Sequence, residues 1–195
     1  SNIVIQSAIN SLGTVVMAAS SAAFNIEVIA YDVLSSFSQA CTTFVGQNYG
    51  ARKLDRCRKT LVLCLVEDTV ASGLAIMLVL CSGRFLLSLF NQDPEVISIG
   101  YTRLMVVFTA YFFSMLYEVM SGYLRGFGIS LVPALLTMVG VCGVRILWVA
   151  TAFPRHRSFQ TILLAYPLSL AATAVLIFIA LLVYHPSHKT KGEAV

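Results

Sequence analysis

Six apolar stretches, separated by short polar connections, account for nearly the whole chain. A helix rises about 1.5 Å per residue, so crossing roughly 30 Å of hydrocarbon takes about 20 residues. The predicted spans cover residues 3–20, 25–49, 60–82, 98–123, 131–152 and 161–184. The pattern therefore predicts an all-α integral membrane protein, with a six-helix transmembrane lobe over residues 1–185 and a tail over 186–195.

Residues that begin, end or bend helices fall near these boundaries. Gly50 is placed to end the second helix, and Asp93 to cap a short helix that begins at Pro94, before the fourth span. Pro133 falls in the first turn of the fifth helix, where its missing N–H does little harm. Pro167 lies inside the sixth span, and we expect it to kink that helix.

The composition supports a membrane protein and excludes several function classes. Of the 195 residues, 58% are hydrophobic and only 11% charged, whereas soluble domains carry about 25% charged residues. The net charge of +4 is too small and too localised to indicate a nucleic-acid partner. The five cysteines form no CxxC pair, and no paired histidines, acidic metal box or nucleophile motif occurs. The sequence therefore predicts no metal site, no cofactor and no enzyme. The chain starts without Met inside an apolar stretch, which indicates a fragment of a longer protein.

The positive charges predict the orientation of the spans. Of the 13 Lys and Arg residues, five lie in the stretch GQNYGARKLDRCRKT, residues 46–60. With Arg125, Lys189 and Lys191, eight fall on one predicted side of the membrane. Four fall on the other side, at positions Arg84, Arg103, Arg155 and Arg157. Because the richer side is usually cytoplasmic, we expect the 50–59 loop and the C-terminus to face the cytosol from the plasma membrane, close to anionic lipid headgroups.

The second span is unusually polar. One stripe at helical spacing comprises Glu27, Tyr31, Ser35, Ser38 and Thr42. An adjacent stripe comprises Asp32, Ser36, Gln39, Thr43 and Gln47. Such a helix either packs through small residues or lines a water-filled cavity, and two acids in a long polar face favour the cavity.

The fourth span carries a further stripe, made of Tyr111, Ser114, Glu118, Ser121 and Arg125. Glu118 lies seven residues from the inner end of its span, roughly 10 Å deep at helical rise. A carboxylate at that depth needs a partner or a proton, and a carboxyl group that takes up and releases a proton is what a proton-coupled transporter requires. The alternative is a Glu that is hydrogen-bonded for packing only.

Three other charged residues lie at membrane depth. Glu67 and Asp68 share the layer of Glu118, and since adjacent helical residues point about 100° apart, at most one is expected to face it. An inner water pocket or structural hydrogen bonding is the favoured interpretation for these two. Arg145 lies roughly 12 Å from the outer face, so we predict a structural ion pair of Arg145 with Glu27 or with Asp32.

Several segments carry a family pattern: NSLGTVVMAASSAAFNIE (10–27), TFVGQNYGARK (43–53), DPEVISIG (93–100), SGYLRGFGISLVP (121–133), CGVRILWVATAF (142–153) and YPLS (166–169). Together they resemble the C-terminal half of multidrug and toxic compound extrusion (MATE) transporters, and the version here is most similar to that of gut Firmicutes. They follow one another in order along nearly the whole chain.

The resemblance implies a fold and a function. The six spans would be helices 7 to 12 of a twelve-helix transporter, so an N-terminal six-helix lobe would be missing. The whole would export organic cations or other amphipathic compounds in exchange for inward H⁺ or Na⁺, by alternating access. One C-lobe coupling acid of such proteins falls upstream of Ser1, and another falls near Ser114, where Glu118 one turn later is the candidate substitute. Glu27 and Asp32 are further candidates for the coupling site.

The substrate cleft would be lined by Tyr31, Gln39, Tyr111, Phe112 and Tyr117, whose aromatic rings suit cationic compounds. Two alternatives stay open. A lipid-linked saccharide flippase of the same superfamily would be expected to place more Arg and Lys in the cleft, to hold phosphate. The second alternative is that the chain is an inactive half-length membrane fragment.

Overall fold

The computed structural model describes residues 2–184, apart from the side chain of Asn2, and the predicted tail at 186–195 lies outside the described residues. The described part is helical throughout, with short connections. The helices are α1 (Asn2–Asn10), α2 (Thr14–Gly50), α3 (Leu54–Ser88), α4 (Pro94–Gly126), α5 (Leu131–Thr137), α6 (Val144–Thr151), α7 (Phe159–Leu163) and α8 (Ala165–Tyr184). A π-helical segment, Met138–Gly143, joins α5 to α6.

The first two helices differ from the predicted spans 3–20 and 25–49. The backbone breaks at residues 11–13, where Gly13 has a φ of 111°, and then runs as one helix of 37 residues. This helix is roughly 55 Å long at 1.5 Å per residue, and it continues through the polar residues Asn25 and Glu27. α1 has only nine residues, roughly 13 Å, which is too short to cross a bilayer.

Five helical stretches of the described part are long and apolar enough to cross a membrane. They are Thr14–Gly50, Leu54–Ser88, Pro94–Gly126, Leu131–Thr151 and Phe159–Tyr184. The all-helical membrane architecture is therefore confirmed, while the first predicted span, 3–20, is divided between the short α1 and the start of α2.

The predicted helix punctuation is largely confirmed. The Asp93 side chain accepts a hydrogen bond from the backbone N–H of Glu95, and Pro94 opens α4, which runs on without a separate short helix. Ser130, which the sequence places to cap the fifth helix, makes no side-chain capping bond at the start of α5. The last membrane helix is interrupted at Leu164, next to the carbonyl group that Pro167 would crowd in a regular helix.

The π-helical segment lies where α5 and α6 pack against α8. Gly140 is buried there, and a Cβ atom at this position would collide with the Thr173 hydroxyl of α8. A π turn inserts one extra residue into a helix and is frequent at functional sites. Here it lies immediately before Arg145, the second residue of α6.

The connections between the long helices are short, so successive helices run in opposite directions across the membrane. The 51–53 connection, the 127–130 connection and the end of α8 consequently share one side, and the 89–93 and 152–158 connections share the other.

Helices α2 and α4 form the centre of the bundle, with α3 and α8 packed around them. Small residues let α2 and α4 approach closely. A Cβ atom at Gly122 would collide with the Ser38 carbonyl oxygen, and one at Gly126 would lie 2.6 Å from the Val45 side chain. α3 instead exposes large apolar side chains along most of its length, as a lipid-facing helix does. These are Val62, Leu63, Val66, Val70, Leu74, Met77 and Leu78.

Candidate functional site

The two polar stripes of α2 have different environments. The first faces α4, because Glu27 and Ser38 are buried and Tyr31, Ser35 and Thr42 are partly buried. Ser38 Oγ donates to the backbone oxygen of Glu118 at 2.6 Å, and Thr42 Oγ1 donates to that of Gly122 at 3.0 Å. This stripe therefore packs through small residues, which is the less favoured of the two alternatives drawn from the sequence.

The second stripe of α2 has no neighbouring helix in the described part of the chain. Its five members are all exposed: Asp32, Ser36, Gln39, Thr43 and Gln47. Five polar side chains along one face of an apolar helix are unfavourable against lipid, so this face requires water or another polar protein surface.

A hydrogen bond connects the first stripe to the acid of α4. The Tyr31 hydroxyl donates to Glu118 Oε1 at 2.7 Å, in a partly buried setting. Beside it, Arg125 Nη2 donates to Ser38 Oγ at 2.7 Å, so this arginine folds back from the last turn of α4 toward the helix seam. The arrangement places one carboxyl group, one phenol and one guanidinium between the same two helices.

The aromatic candidates are only partly brought together. Tyr111 lies edge-on to Tyr31, with ring centroids 6.2 Å apart, and it also contacts Phe108 at 5.3 Å. Tyr117 is buried at 4% exposure, so a ligand could not reach it in this conformation. Phe112 is 51% exposed and packs on Phe113 rather than on the tyrosines. Ser114 is buried, and its hydroxyl has no hydrogen-bond partner among the described residues.

Glu27 forms a buried ion pair, but with a residue other than the predicted one. Arg103 Nε and Nη2 donate to its two carboxylate oxygens at 2.7 and 2.9 Å, and both side chains are less than 5% exposed. The predicted pairing of Arg145 with Glu27 or Asp32 is therefore wrong. Arg103, which the charge count placed on the outer side of the membrane, lies in the interior of the bundle instead.

Arg145 is buried without an acid. Its Nε donates to Ser169 Oγ at 2.9 Å, and its guanidinium carbon lies 4.5 Å from the ring centroid of Tyr166. Arg103 contacts the same tyrosine, donating from Nη2 to the Tyr166 hydroxyl at 3.2 Å. No carboxylate of residues 2–184 lies within ion-pair distance of Arg145. We call Glu27, Arg103, Arg145 and Tyr166 the tyrosine-centred cluster; it carries two guanidinium groups and one carboxylate.

A cavity of about 630 Å³ adjoins this cluster at the end of α2 near Gly13. Arg103 and Tyr166 line it, together with the polar side chains of Gln6, Asn10, Ser20 and Asn25. The Ser20 hydroxyl is buried and has no hydrogen-bond partner among the described residues.

The two adjacent acids of α3 separate as the helical geometry requires. Asp68 is fully buried and accepts a hydrogen bond from Ser72, while Glu67 is exposed. One oxygen of Asp68, Oδ2, lacks a partner in the described structure. Among residues 2–184, no group of three His, Cys, Asp or Glu side chains could hold a metal ion.

Sequence reasoning missed Arg103, Tyr166 and the bond between Arg125 and Ser38. A signal for Arg103 was available, because it lies ten residues after the Asp93 cap, roughly 15 Å along the helix that starts there. That distance puts Arg103 inside the bundle near Glu27, deeper than the outer membrane face to which the charge count assigned it. No comparable sequence signal identifies Tyr166.

Comparisons with known proteins identify the family of the chain. The family model described as MatE matches residues 1–151. The chain is 23% identical over 145 residues to the probable multidrug resistance protein YoeA of Bacillus subtilis, covering 73% of the chain and 31% of that protein. It is 28% identical over 128 residues to the probable multidrug resistance protein NorM of Chromobacterium violaceum, covering 66% of the chain and 28% of that protein. It is 27% identical over 130 residues to human multidrug and toxin extrusion protein 1, covering 66% of the chain and 23% of that protein. The matches thus span less than a third of each of these relatives.

Proposed function

The chain belongs to the MatE family, as its motifs predicted, and we propose that it forms one lobe of a cation-coupled antiporter. The antiporter would export organic cations or other amphipathic compounds in exchange for H⁺ or Na⁺. Family membership and the names of the relatives support transport and give no support to an enzyme. In this proposal the chain supplies a six-helix lobe, helices 7 to 12, and pairs with a second, N-terminal lobe in the plasma membrane.

The observation that carries the proposal is the hydrogen bond between Tyr31 and Glu118. This bond holds the Glu118 carboxyl group, whose charge can change, against the Tyr31 hydroxyl of α2. The exposed polar face of α2 lies beside it. A deprotonated Glu118 accepts this bond strongly, since hydrogen bonds to a charged acceptor are about twice as strong as neutral ones. A proton or a sodium ion on Glu118 weakens the bond and so changes how α2 is held against α4.

In this proposal, the exposed stripe of α2 forms the wall of the cleft that faces the N-terminal lobe. Asp32 and Gln39 lie on this wall, and Tyr31 borders it with partial exposure. Asp32 attracts an organic cation, and the Tyr31 ring offers a π face to it. The buried Tyr117 and the outward-lying Phe112 contribute less to this wall than predicted from the sequence.

Transport then follows from two states of the cleft. In one state Glu118 is charged and the cleft binds a cationic compound; in the other, H⁺ or Na⁺ neutralises Glu118 and the compound is released. Each ligand shifts the equilibrium by its differential affinity for the two states, so the inward ion gradient drives export. The 50–59 connection and the C-terminus face the cytosol in this proposal, because that side carries the larger number of positive charges.

Efflux of ethidium from proteoliposomes under separate Na⁺ and H⁺ gradients tests the proposal, with this chain assembled with its second lobe. We expect one of the two gradients to accelerate efflux in the native protein and to have little effect in the Glu118→Gln variant. Glu95→Gln is the matched control, because it removes an exposed carboxylate from the first turn of the same helix.

Unchanged ion-driven efflux in the Glu118→Gln variant would remove Glu118 from the coupling site. Absence of efflux in the native protein under both gradients would favour an inactive fragment. Translocation of a lipid-linked saccharide in place of ethidium would favour the flippase alternative.

A further inference from the structure

One face of α3 carries basic and apolar side chains in a single stripe. Its members follow one another at spacings of three and four residues, so they share one side of the helix, and all are exposed. They lie opposite the buried side of α3, which includes Cys57, Cys64 and Asp68. We call this set the α3 stripe: Arg56, Lys59, Leu63, Val66, Val70, Leu74 and Met77. Its two cations stand next to the 51–53 connection, and its apolar part runs from there into the membrane.

An aromatic contact places the basic end of the α3 stripe at the membrane surface. Tyr49, which is 37% exposed, packs on Phe127 with ring centroids 4.9 Å apart at the same end of the bundle. Tyrosine is frequent where the hydrocarbon meets the lipid headgroups. The cations of the stripe therefore lie at headgroup level, and the apolar side chains lie at the level of the acyl chains.

The connection before the α3 stripe adds further positive charge in a fixed place. The backbone N–H groups of Arg52 and Lys53 donate to carbonyl oxygens of the last residues of α2 at 2.9 and 2.8 Å. The Lys53 carbonyl oxygen in turn accepts from the N–H of Arg56 at 3.0 Å. Segment 52–59 thus holds five cations and one acid, Asp55. The two cations of the stripe form no ion pair with described residues, so both can bind an anion from outside the chain.

We propose that the α3 stripe binds an anionic phospholipid, with its phosphate between Arg56 and Lys59 and an acyl chain along the apolar part of the stripe. Residues three apart on a helix have Cβ atoms about 5–6 Å apart, so the two long side chains can reach the same phosphate. Charge-assisted hydrogen bonds from both favour an anionic headgroup over a zwitterionic one. Val70 lies 11 residues beyond Lys59, roughly 16 Å, which matches the half of the hydrocarbon core that one acyl chain fills.

The side chains of the stripe favour lipid over a second protein surface as the occupant. The exposed stripe of α2 is polar along its length and requires water or protein, whereas the α3 stripe beyond Lys59 contains only apolar residues. Glu67 borders this apolar part and is exposed. Helical side chains extend toward the N-terminal end of their helix, so the Glu67 carboxyl group is directed back toward headgroup level. The inference is independent of the transported compound and of the coupling ion.

Quenching of a tryptophan reporter by brominated lipids tests the proposal on the assembled protein in vesicles. Val66→Trp introduces the reporter at an exposed position of the stripe, and the signal of the protein without this substitution is subtracted. Phosphatidylglycerol and phosphatidylcholine, each brominated in the acyl chains, compete for contact with the reporter. We expect phosphatidylglycerol to bind there about 5-fold to 25-fold more tightly, because each Lys or Arg close to an anionic headgroup contributes roughly fivefold.

Replacement of the two cations should remove this preference. In the Val66→Trp background, Arg56→Gln with Lys59→Gln should lower the ratio of the two binding constants to below about twofold. Both side chains are exposed, so the thermal midpoint in neutral detergent should stay that of the native protein. Arg56→Lys with Lys59→Arg keeps both charges and should keep the preference. Arg84→Gln is the matched control, because it removes an exposed cation from the opposite end of the same helix.

Different results would overturn the inference in different ways. Equal quenching by the two lipids with Arg56 and Lys59 in place would show ordinary lipid contact without a headgroup site. A preference that persists in the glutamine double variant, or is lost equally in the Arg84→Gln variant, would show a general attraction of anionic lipid to the protein. Absence of quenching by either lipid would show that the proposed second lobe or another copy of the chain covers the stripe.

Discussion

Gly122 of α4 lies directly against Ser38 of α2, so that a Cβ atom at Gly122 would collide with the Ser38 carbonyl oxygen. On the same short stretch, Ser38 donates to the Glu118 backbone and Thr42 donates to the Gly122 backbone. These contacts require the two helix backbones to approach closely, which in membranes replaces the hydrophobic effect as the source of helix association. These contacts also hold Glu118 at the same level along the helix axis as Tyr31.

Gly122→Ala should therefore destabilise the protein, because the added methyl group forces α2 and α4 apart. Overpacking of this kind costs about 1–3 kcal/mol, which we expect to appear as a lower thermal midpoint in detergent and as weaker ion-driven efflux. Gly73→Ala in α3 is the matched control, since nothing lies within 4 Å of a Cβ atom there. That substitution should be neutral or slightly stabilising. If Gly122→Ala and Gly73→Ala changed the thermal midpoint equally, α2 and α4 would not be closely packed at Gly122.

The Glu27–Arg103 pair leads to a second prediction. Glu27→Gln leaves the Arg103 guanidinium buried without a counterion, and removal of one partner of a buried pair costs about 3–5 kcal/mol. Replacing both partners, by Glu27→Leu with Arg103→Met, should recover most of that loss. The coupling energy between the two side chains follows from the free energies of unfolding of Glu27→Leu, Arg103→Met and the double variant.

Asp32→Asn serves as the control in this experiment, because Asp32 is exposed on the same helix and should change stability by less than about 1 kcal/mol. Strictly additive effects of the Glu27 and Arg103 substitutions would contradict a direct pair.

The buried pair also shows where sequence reasoning succeeds and where it fails. Apolar stretches and helix caps identify Asp93–Pro94 as a helix start and Pro167 as a break, because these effects are local to the backbone. Partners across helices depend on depth and on rotation about each helix axis. An error of a few residues in the depth of α4 therefore counted Arg103 on the outer side of the membrane and left Glu27 or Asp32 as the predicted partner of Arg145.

The first helix boundary failed for a related reason. The predicted spans 3–20 and 25–49 separate at residues 21–24, but α2 continues through this stretch. It tolerates the polar residues nearby because Arg103 compensates Glu27 and the Asn25 side chain donates to the Ser21 backbone oxygen at 3.0 Å. The backbone instead breaks at Gly13, whose positive φ suits glycine. Hydropathy locates apolar residues, and it does not locate the turn within them.

Membrane orientation gives a third prediction. Ala51→Cys lies in the exposed basic connection, and Gln92→Cys lies in the exposed connection on the opposite side. We expect an impermeant maleimide to label Gln92→Cys in intact cells, and to label Ala51→Cys only after the membrane is permeabilised. The native Cys57 is 0% exposed and should react poorly from either side, which makes it an internal control. Labelling of Ala51→Cys in intact cells would reverse the proposed orientation.

Tyr31→Phe gives the last prediction, because it removes one hydrogen-bond donor from Glu118 and keeps the ring that packs on Tyr111. A single hydrogen bond to a charged group is worth about 1.5–3 kcal/mol, and bonding to water recovers part of it at a partly exposed site. We expect the ion concentration that gives half-maximal ethidium efflux to change by about threefold to tenfold, with the thermal midpoint nearly unchanged. Tyr49→Phe is the matched control, since Tyr49 packs on Phe127 near the end of α2 and makes no contact with Glu118. If Tyr31→Phe altered only the maximal rate and left the ion dependence as in the Tyr49→Phe variant, the bond would serve helix packing alone, and the coupling role of Glu118 would lose its structural basis.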